Sequence, residues 1–174
     1  LVDCGMFQER AFLDRNWEPS PIPLDAIKAV LLTHVHIDHC GLLPRLVSQG
    51  YSGPIYCTPP SVPLAEVVLR DSAEIQMEDA AYKTKRHAKE GRRGKHPEVP
   101  LYTVDDANRS LRRFQIAPYG RPVRLSDDVC VTFHDAGHIL GSAMLEVVVT
   151  QRERPCRLLF SGDVDSVVVP GAEG

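Results

Sequence analysis

The sequence predicts an α/β sandwich, mixed sheets with flanking helices, and three observations predict it. Short apolar segments read as strands at both ends of the chain, residues 29–33 and 55–57 early, then 129–133, 144–149 and 157–160 late. A helical period fills the middle, from residue 61 to about residue 90 and again from Thr103. Three of the strand-like runs end in polar, metal-competent residues, the place where open sheets tend to build sites. Strands at both ends with helices between them pack as layers around a core.

Taken in order, residues 1–5 read as a strand end and turn, and residues 17–23 as a proline-rich connector. Residues 25–27 lead into the strand at 29–33. Residues 41–47 suit a short helix, 50–54 a turn, and 55–57 a strand closed by Pro59-Pro60. After Pro63 no proline interrupts the long helix, and Leu64, Val67, Val68 and Ile75 fit one helical face. A second helix begins at Thr103, with Asp106 three residues on as a capping-box-like start. Ala107, Leu111 and Phe114 continue it. Strands follow Tyr119-Gly120. No internal repeat or low-complexity segment is present.

At 174 residues the chain is about one domain long and can bury a core. A hydrophobic share of 43% and a charged share of 25% are ordinary for a globular protein and argue against disorder. The net charge of -3 gives no global push toward nucleic acid, so an anionic partner must be met by a local patch and by metal charge. Five cysteines form no CxxC pair and read as small buried hydrophobes in a reducing compartment. Cys40 is the one to watch, because it follows His39 directly. No membrane-spanning run or signal peptide is visible, so the expectation is a cytoplasmic protein with no membrane partner. The chain opens at Leu1 in a strand-like segment and closes at Gly174 in a Gly/Pro-flanked tail. Both ends read as cut, and the expectation is a piece of a longer protein.

The chemistry is concentrated in His34-Val35-His36-Ile37-Asp38-His39, directly after the apolar run Ala29-Val30-Leu31-Leu32. His34 and His36 are two apart, so in extended backbone their imidazoles leave the same side. Asp38 and His39 follow where the chain must turn and reach a second point nearby. His138 and Asp163, each beyond a later strand, supply the missing donors. Alone, His138 would read as a structural histidine and Asp163 as a turn residue. A mixed nitrogen and oxygen set without thiolate suits a catalytic rather than a closed structural zinc site.

The strongest charge feature is Lys83, Lys85, Arg86, Lys89, Arg92, Arg93 and Lys95, with Glu90 the sole acid among them. It reads either as a solvated helix end or as a tract that holds a polyanion's phosphates. Gly91 and Gly94 suggest that it leaves the helix and becomes mobile. His87 and His96 inside it read as solvent-facing.

The order His34-x-His36-x-Asp38-His39, His138, Asp163 resembles the metallo-β-lactamase superfamily. Asp71-Ser72-Ala73-Glu74 and Gly137-His138-Ile139-Leu140-Gly141-Ser142 make it look more narrowly like the β-CASP ribonucleases, bacterial and archaeal in flavour. That branch includes the eukaryotic pre-mRNA 3′-end cleavage subunit. The resemblance implies a partial metallo-β-lactamase αββα sandwich over residues 1–174, with the first strands, the β-CASP cap and later histidines outside the chain. It implies two zinc ions: one held by His34, His36 and His138, a second by Asp38 and His39, with Asp163 bridging. Asp3 would orient a ligand by hydrogen bond; its other reading is a plain turn aspartate. The implied activity is hydrolysis of RNA phosphodiester bonds by a metal-bridged hydroxide, with Asp38, His39 and Asp163 at the reaction centre. Lys83, Lys85, Arg86, Arg92 and Arg93 are the candidates for RNA contact. RNA is the implied partner, a homodimer is compatible, and the chain alone is expected to be weak or inactive. Two other readings stay open: a thioester or small-phosphodiester hydrolase, and a catalytically silent RNA-processing scaffold. The residues after Asp163 depart from the family pattern.

Overall fold

A computed structural model describes residues 1–151 and 154–165. The departing stretch at 166–170 lies outside the described residues. The first half forms a parallel sheet of β1 (Val30–Leu31), β2 (Ile55–Cys57) and β3 (Phe114–Ile116), in that order. Val2 adds a parallel bridge to Leu31 on the outer side of β1. Parallel neighbours need crossovers, and helices supply them. Between β1 and β2 lie α1 (Ile37–Cys40) and α2 (Leu43–Ser48); between β2 and β3 lie α3 (Ser61–Glu90) and α4 (Val104–Leu111). The second half is an antiparallel sheet in the order β4 (Val123–Arg124), β5 (Val129–Asp135), β6 (Ala143–Gln151), β7 (Arg154–Phe160).

The parallel sheet is covered on both faces, which is why its first strand reads as an unbroken apolar run. Val30 and Leu32 enter one core with Leu43, Ile55, Leu69 and Tyr102 beneath the helices. Leu31 points the other way, into a second core with Val131, Phe133, Ala143 and Leu145 between the two sheets. The sheets also touch through backbone: Ala143 N–H donates to the Thr33 carbonyl at 2.8 Å, at the rim where the metal-competent residues gather.

Several sequence expectations need correction. The second helix stops at Leu111, and Phe114 begins a strand, because Ile55 and Phe114 pair in the parallel ladder. The expected capping box forms: the Asp106 amide donates to Thr103 Oγ1 at 3.3 Å and the Thr103 amide to Asp106 Oδ2 at 2.8 Å. On α3 the expected face is half right: Leu64 and Val68 pack, partly buried, against the core. Val67 and Ile75 are exposed, and the buried stripe is Ala65, Leu69, Ala73 and Ala80. Small residues let this helix lie close to its neighbours, so burial follows alanine rather than the larger apolar side chains. The strand β4 and the helical turn α1 were not foreseen.

The basic tract also differs. α3 ends at Gly91 in the left-handed conformation, and the chain folds back toward the 3-10 turn Leu13–Trp17. Lys95 and His96 both meet Asp14, and the His96 ring stacks on Trp17 at 5.2 Å, 7° from parallel. His87 is buried and bonds Glu98. Neither histidine is simply solvent-facing, because an acid on a neighbouring segment captures each one.

Candidate metal centre

The loop after β1 is held from below by the N-terminal segment. Cys4 N–H donates to the His39 carbonyl at 2.8 Å, Met6 N–H to Ile37 at 3.0 Å, and Leu42 N–H to Cys4 at 2.9 Å. Gly5 is required at this crossing, since a Cβ there would lie 1.5 Å from the Asp38 carbonyl oxygen. Asp3 adopts φ 53°, a left-handed conformation that aspartate tolerates better than most residues, and its side chain returns to the rim. There Thr33 N–H donates to Asp3 Oδ1 at 2.7 Å, and Thr33 Oγ1–H donates to Asp3 Oδ2 at 2.8 Å. The same Oδ2 lies 2.8 Å from His39 Nδ1.

These bonds fix imidazole tautomers. Thr33 Oγ1 spends its proton on Asp3, so at 3.1 Å from His34 Nδ1 it accepts that ring's N–H. The lone pair of His34 is thereby left on Nε2, facing the rim. His39 donates Nδ1–H to Asp3, which leaves its Nε2 lone pair 3.4 Å from Asp163 Oδ1.

The loop bearing His138 is tied to the opposite side. Thr58 and Ser61 hydroxyls bond the Gly141 carbonyl at 2.6 and 3.0 Å, and Ser142 Oγ accepts the His138 amide at 3.1 Å. Gly162 carries Asp163 inward with φ 57°, and a Cβ there would lie 2.9 Å from the Thr33 Cβ.

The result is convergence. His34 Nε2 is 3.0 Å from His36 Nδ1, and His138 Nε2 is 3.2 Å from the same atom. Asp163 Oδ2 lies 3.8 Å from His34 Nε2 and 3.9 Å from His138 Nε2. One donor atom from each of His34, His36, His138 and Asp163 lies within 4.8 Å of the others. Donors bound tetrahedrally to one zinc at ordinary bond lengths sit about 3.3 Å apart. The nitrogen spacings fit a shared cation, and in its absence a neutral ring's N–H on His36 Nδ1 spans them as a hydrogen bond. A proton is a poor substitute at His34: burial, then the charges of His39 and His36, push that imidazole down to about 4.

Residues 1–156 match the family model of the metallo-beta-lactamase superfamily domain. The chain belongs to that superfamily. The domain is 32% identical over 167 residues to the transcription termination factor FttA of Cenarchaeum symbiosum, covering 94% of this chain and 23% of that protein. It is 35% identical over 164 residues to ribonuclease TTHA0252 of Thermus thermophilus, covering 94% of this chain and 32% of the relative. The chain spans between 16% and 32% of the length of such curated relatives. Among solved structures it is similar to the Rm3 metallo-beta-lactamase, with TM-score 0.54, 19% identity, and coverage of 98% of this chain and 54% of that one. It is also similar to the class B3 di-zinc metallo-beta-lactamase LRA-12 from an Alaskan soil metagenome, with TM-score 0.51, 15% identity, and coverage of 91% and 50%. Those two show the shared fold.

Within this metallo-beta-lactamase domain the expected residues divide. His34, His36, His138 and Asp163 are together. His39 stands beside the other oxygen of Asp163. Asp38 is exposed on α1 and makes no hydrogen bond or ion pair to that group among the described residues. Cys40 is fully buried with Sγ 3.3 Å from the Val35 carbonyl, and burial pushes its thiol up to about 12; it packs and does not face the rim. Thr33 and Asp165, which bonds His138 Nδ1 at 3.1 Å, were missed. Their adjacency to His34 and Asp163 was the only sequence signal. In the basic tract, Lys83 pairs with Asp79 at 3.7 Å, and Arg86 and Arg92 with Glu90 at 3.8 and 2.6 Å. No helix of the described residues is long and apolar enough to cross a membrane.

Proposed function

We propose that this domain holds two zinc ions in a full-length β-CASP ribonuclease and cuts RNA phosphodiester bonds. His34, His36 and His138 hold one zinc, Asp38 and His39 the second, and Asp163 bridges them. The observation that carries the reading is the convergence of one potential ligand atom from each of residues 34, 36, 138 and 163 to within 4.8 Å of one another. Asp163 presents Oδ2 to His34 and His138 and Oδ1 to His39, as a bridging carboxylate must. Zinc, when bound, supplies Lewis acidity that polarises a phosphoryl oxygen and acidifies water near neutral pH. The exposed Asp38 carboxylate takes the proton of the attacking water, and the exposed face of His36 leaves the rim open to a strand.

The ribonuclease name of the Thermus relative supports RNA as substrate. Lys83, Lys85, Arg86, Arg92 and Arg93 contact its phosphates. The exposed acid partners of Lys83, Arg86 and Arg92 are weak competitors, since surface pairs contribute little. Ile37 and Ser72 line one cleft, and about 17 Å of helix axis separates Ser72 from Lys83. An RNA strand that reaches both the rim and the tract must therefore be several nucleotides long. Such an enzyme works in the cytoplasm.

The test is a panel on the full-length protein with labelled RNA, a thioester and a generic phosphodiester, together with zinc content. RNA cleavage with bound zinc, both lost in His36→Ala, is the expected result. Preference for the thioester would reassign the substrate, and zinc with RNA binding but no cleavage would make the protein a scaffold.

A further inference from the structure

Asp165 stands two residues beyond Asp163, so one turn carries two carboxylates to the rim. Asp163 lies among the imidazoles. Asp165 lies behind one of them, its Oδ2 3.1 Å from His138 Nδ1. On the opposite edge of that ring, Nε2 faces His36 Nδ1 at 3.2 Å. A neutral imidazole has one N–H and one lone pair, and the bond made at one nitrogen decides which edge carries the lone pair.

We propose that Asp165 is the positioning residue for His138: its carboxylate accepts Nδ1–H and so keeps the Nε2 lone pair turned into the metal centre. The proposal rests on the metal reading above. Thr33 does the same for His34 and Asp3 for His39, both from the buried side of the rim. Among the described residues no core side chain bonds the His138 ring in this way. Its ring is approached from outside by Asp165, whose side chain is 63% exposed. No bond forms or breaks; the group holds a proton at Nδ1 and orients a ring. A carboxylate here also makes the ring nitrogen facing the metal more electron-rich, as carboxylate–histidine–metal arrangements do.

The experiment compares full-length wild type with Asp165→Ala and Asp165→Asn. The asparagine retains an oxygen that accepts Nδ1–H and removes the charge, so it separates hydrogen bonding from electrostatics. The first readout is the ring 15N spectrum of His138 in zinc-free protein. Wild type is expected in the Nδ1–H tautomer, and Asp165→Ala is expected to gain the Nε2–H form. The second is zinc affinity by competition with a chromogenic chelator. Asp165→Ala is expected to bind zinc about 10- to 100-fold more weakly, and Asp165→Asn much closer to wild type. Zinc-free melting temperatures should match, since the side chain is exposed. An unchanged tautomer or an unchanged zinc affinity in Asp165→Ala overturns the proposal, as does Asp165→Asn as weak as Asp165→Ala. Wild type that binds no zinc refutes the metal reading itself, while the zinc-free spectrum still decides whether Asp165 sets the tautomer.

Discussion

The carboxylate of Asp3 accepts the Nδ1–H of His39 at 2.8 Å, joining the first strand-like residues to the last residue of the histidine cluster. The same carboxylate satisfies the backbone amide and the hydroxyl of Thr33. Asp3→Ala should therefore act twice. Zinc affinity should fall by about tenfold or more through His39. Stability should fall by about 1–3 kcal/mol, because a buried amide loses its acceptor. Asp3→Asn should lie between, having one acceptor oxygen where the site uses two. Chelator competition and urea unfolding measure the two effects separately.

Gly5→Ala should be among the most damaging single changes outside the ligands. The added carbon meets backbone atoms of Asp38, which cannot step aside as a side-chain tip could. The expected outcome is loss of about 3 kcal/mol or failure to fold, with loss of zinc in any folded fraction. Ordinary stability and zinc content in this variant would show that the crossing is looser than described.

Thiol labelling should sort the cysteines by place. Burial pushes Cys4, Cys40 and Cys57 up to about 12, whereas Cys156 is exposed and Cys130 half-buried. At pH 8 in native buffer Cys156 should react first and Cys130 more slowly. Cys4, half-buried with its thiol pushed up to about 12, should be slower than Cys130, and the fully buried Cys40 and Cys57 should react only with unfolding. Rapid native labelling of Cys40 would contradict its burial at the end of α1.

Thr103→Ala should cost about 1 kcal/mol by removing the cap of α4. Burial pushes the Asp106 carboxyl up, but the Thr103 amide and hydroxyl and Arg109 outweigh it and hold the group below its ordinary 3.8. A depressed acid contributes its stability above the unfolded value, and that contribution is lost as pH falls through the lowered one. The difference between wild type and Thr103→Ala should therefore shrink in acid below pH 3.8 and be full at neutrality.

Much of the architecture was legible where period and punctuation agreed. The apolar run before His34, the proline-bounded strand at Ile55 and the Thr103 cap each carry a local cause that survives into the fold. The misses have a different origin. Phe114 joined a strand because β2 was waiting beside it, a partner 59 positions away that no local pattern reveals. The buried stripe of α3 runs through alanines because the packing distance favours small residues there, and hydrophobicity alone ranks Val67 and Ile75 higher. His87 and His96 were captured by Glu98 and Asp14 across a fold-back that Gly91 permits. At the rim the metal-competent residues were readable from spacing, and Asp3 as a residue orienting one of them, but two other partners of the imidazoles were not. Thr33 and Asp165 act through geometry that only the closed structure contains.

If His34, His36, His138 and Asp163 share one metal, anomalous diffraction at the zinc edge from crystals of the full-length protein will locate it among them. A peak about 2.0–2.2 Å from His34 Nε2, His36 Nδ1, His138 Nε2 and an Asp163 oxygen is the predicted result. A zinc-loaded crystal with no peak there, or with the metal held by other side chains, would contradict it.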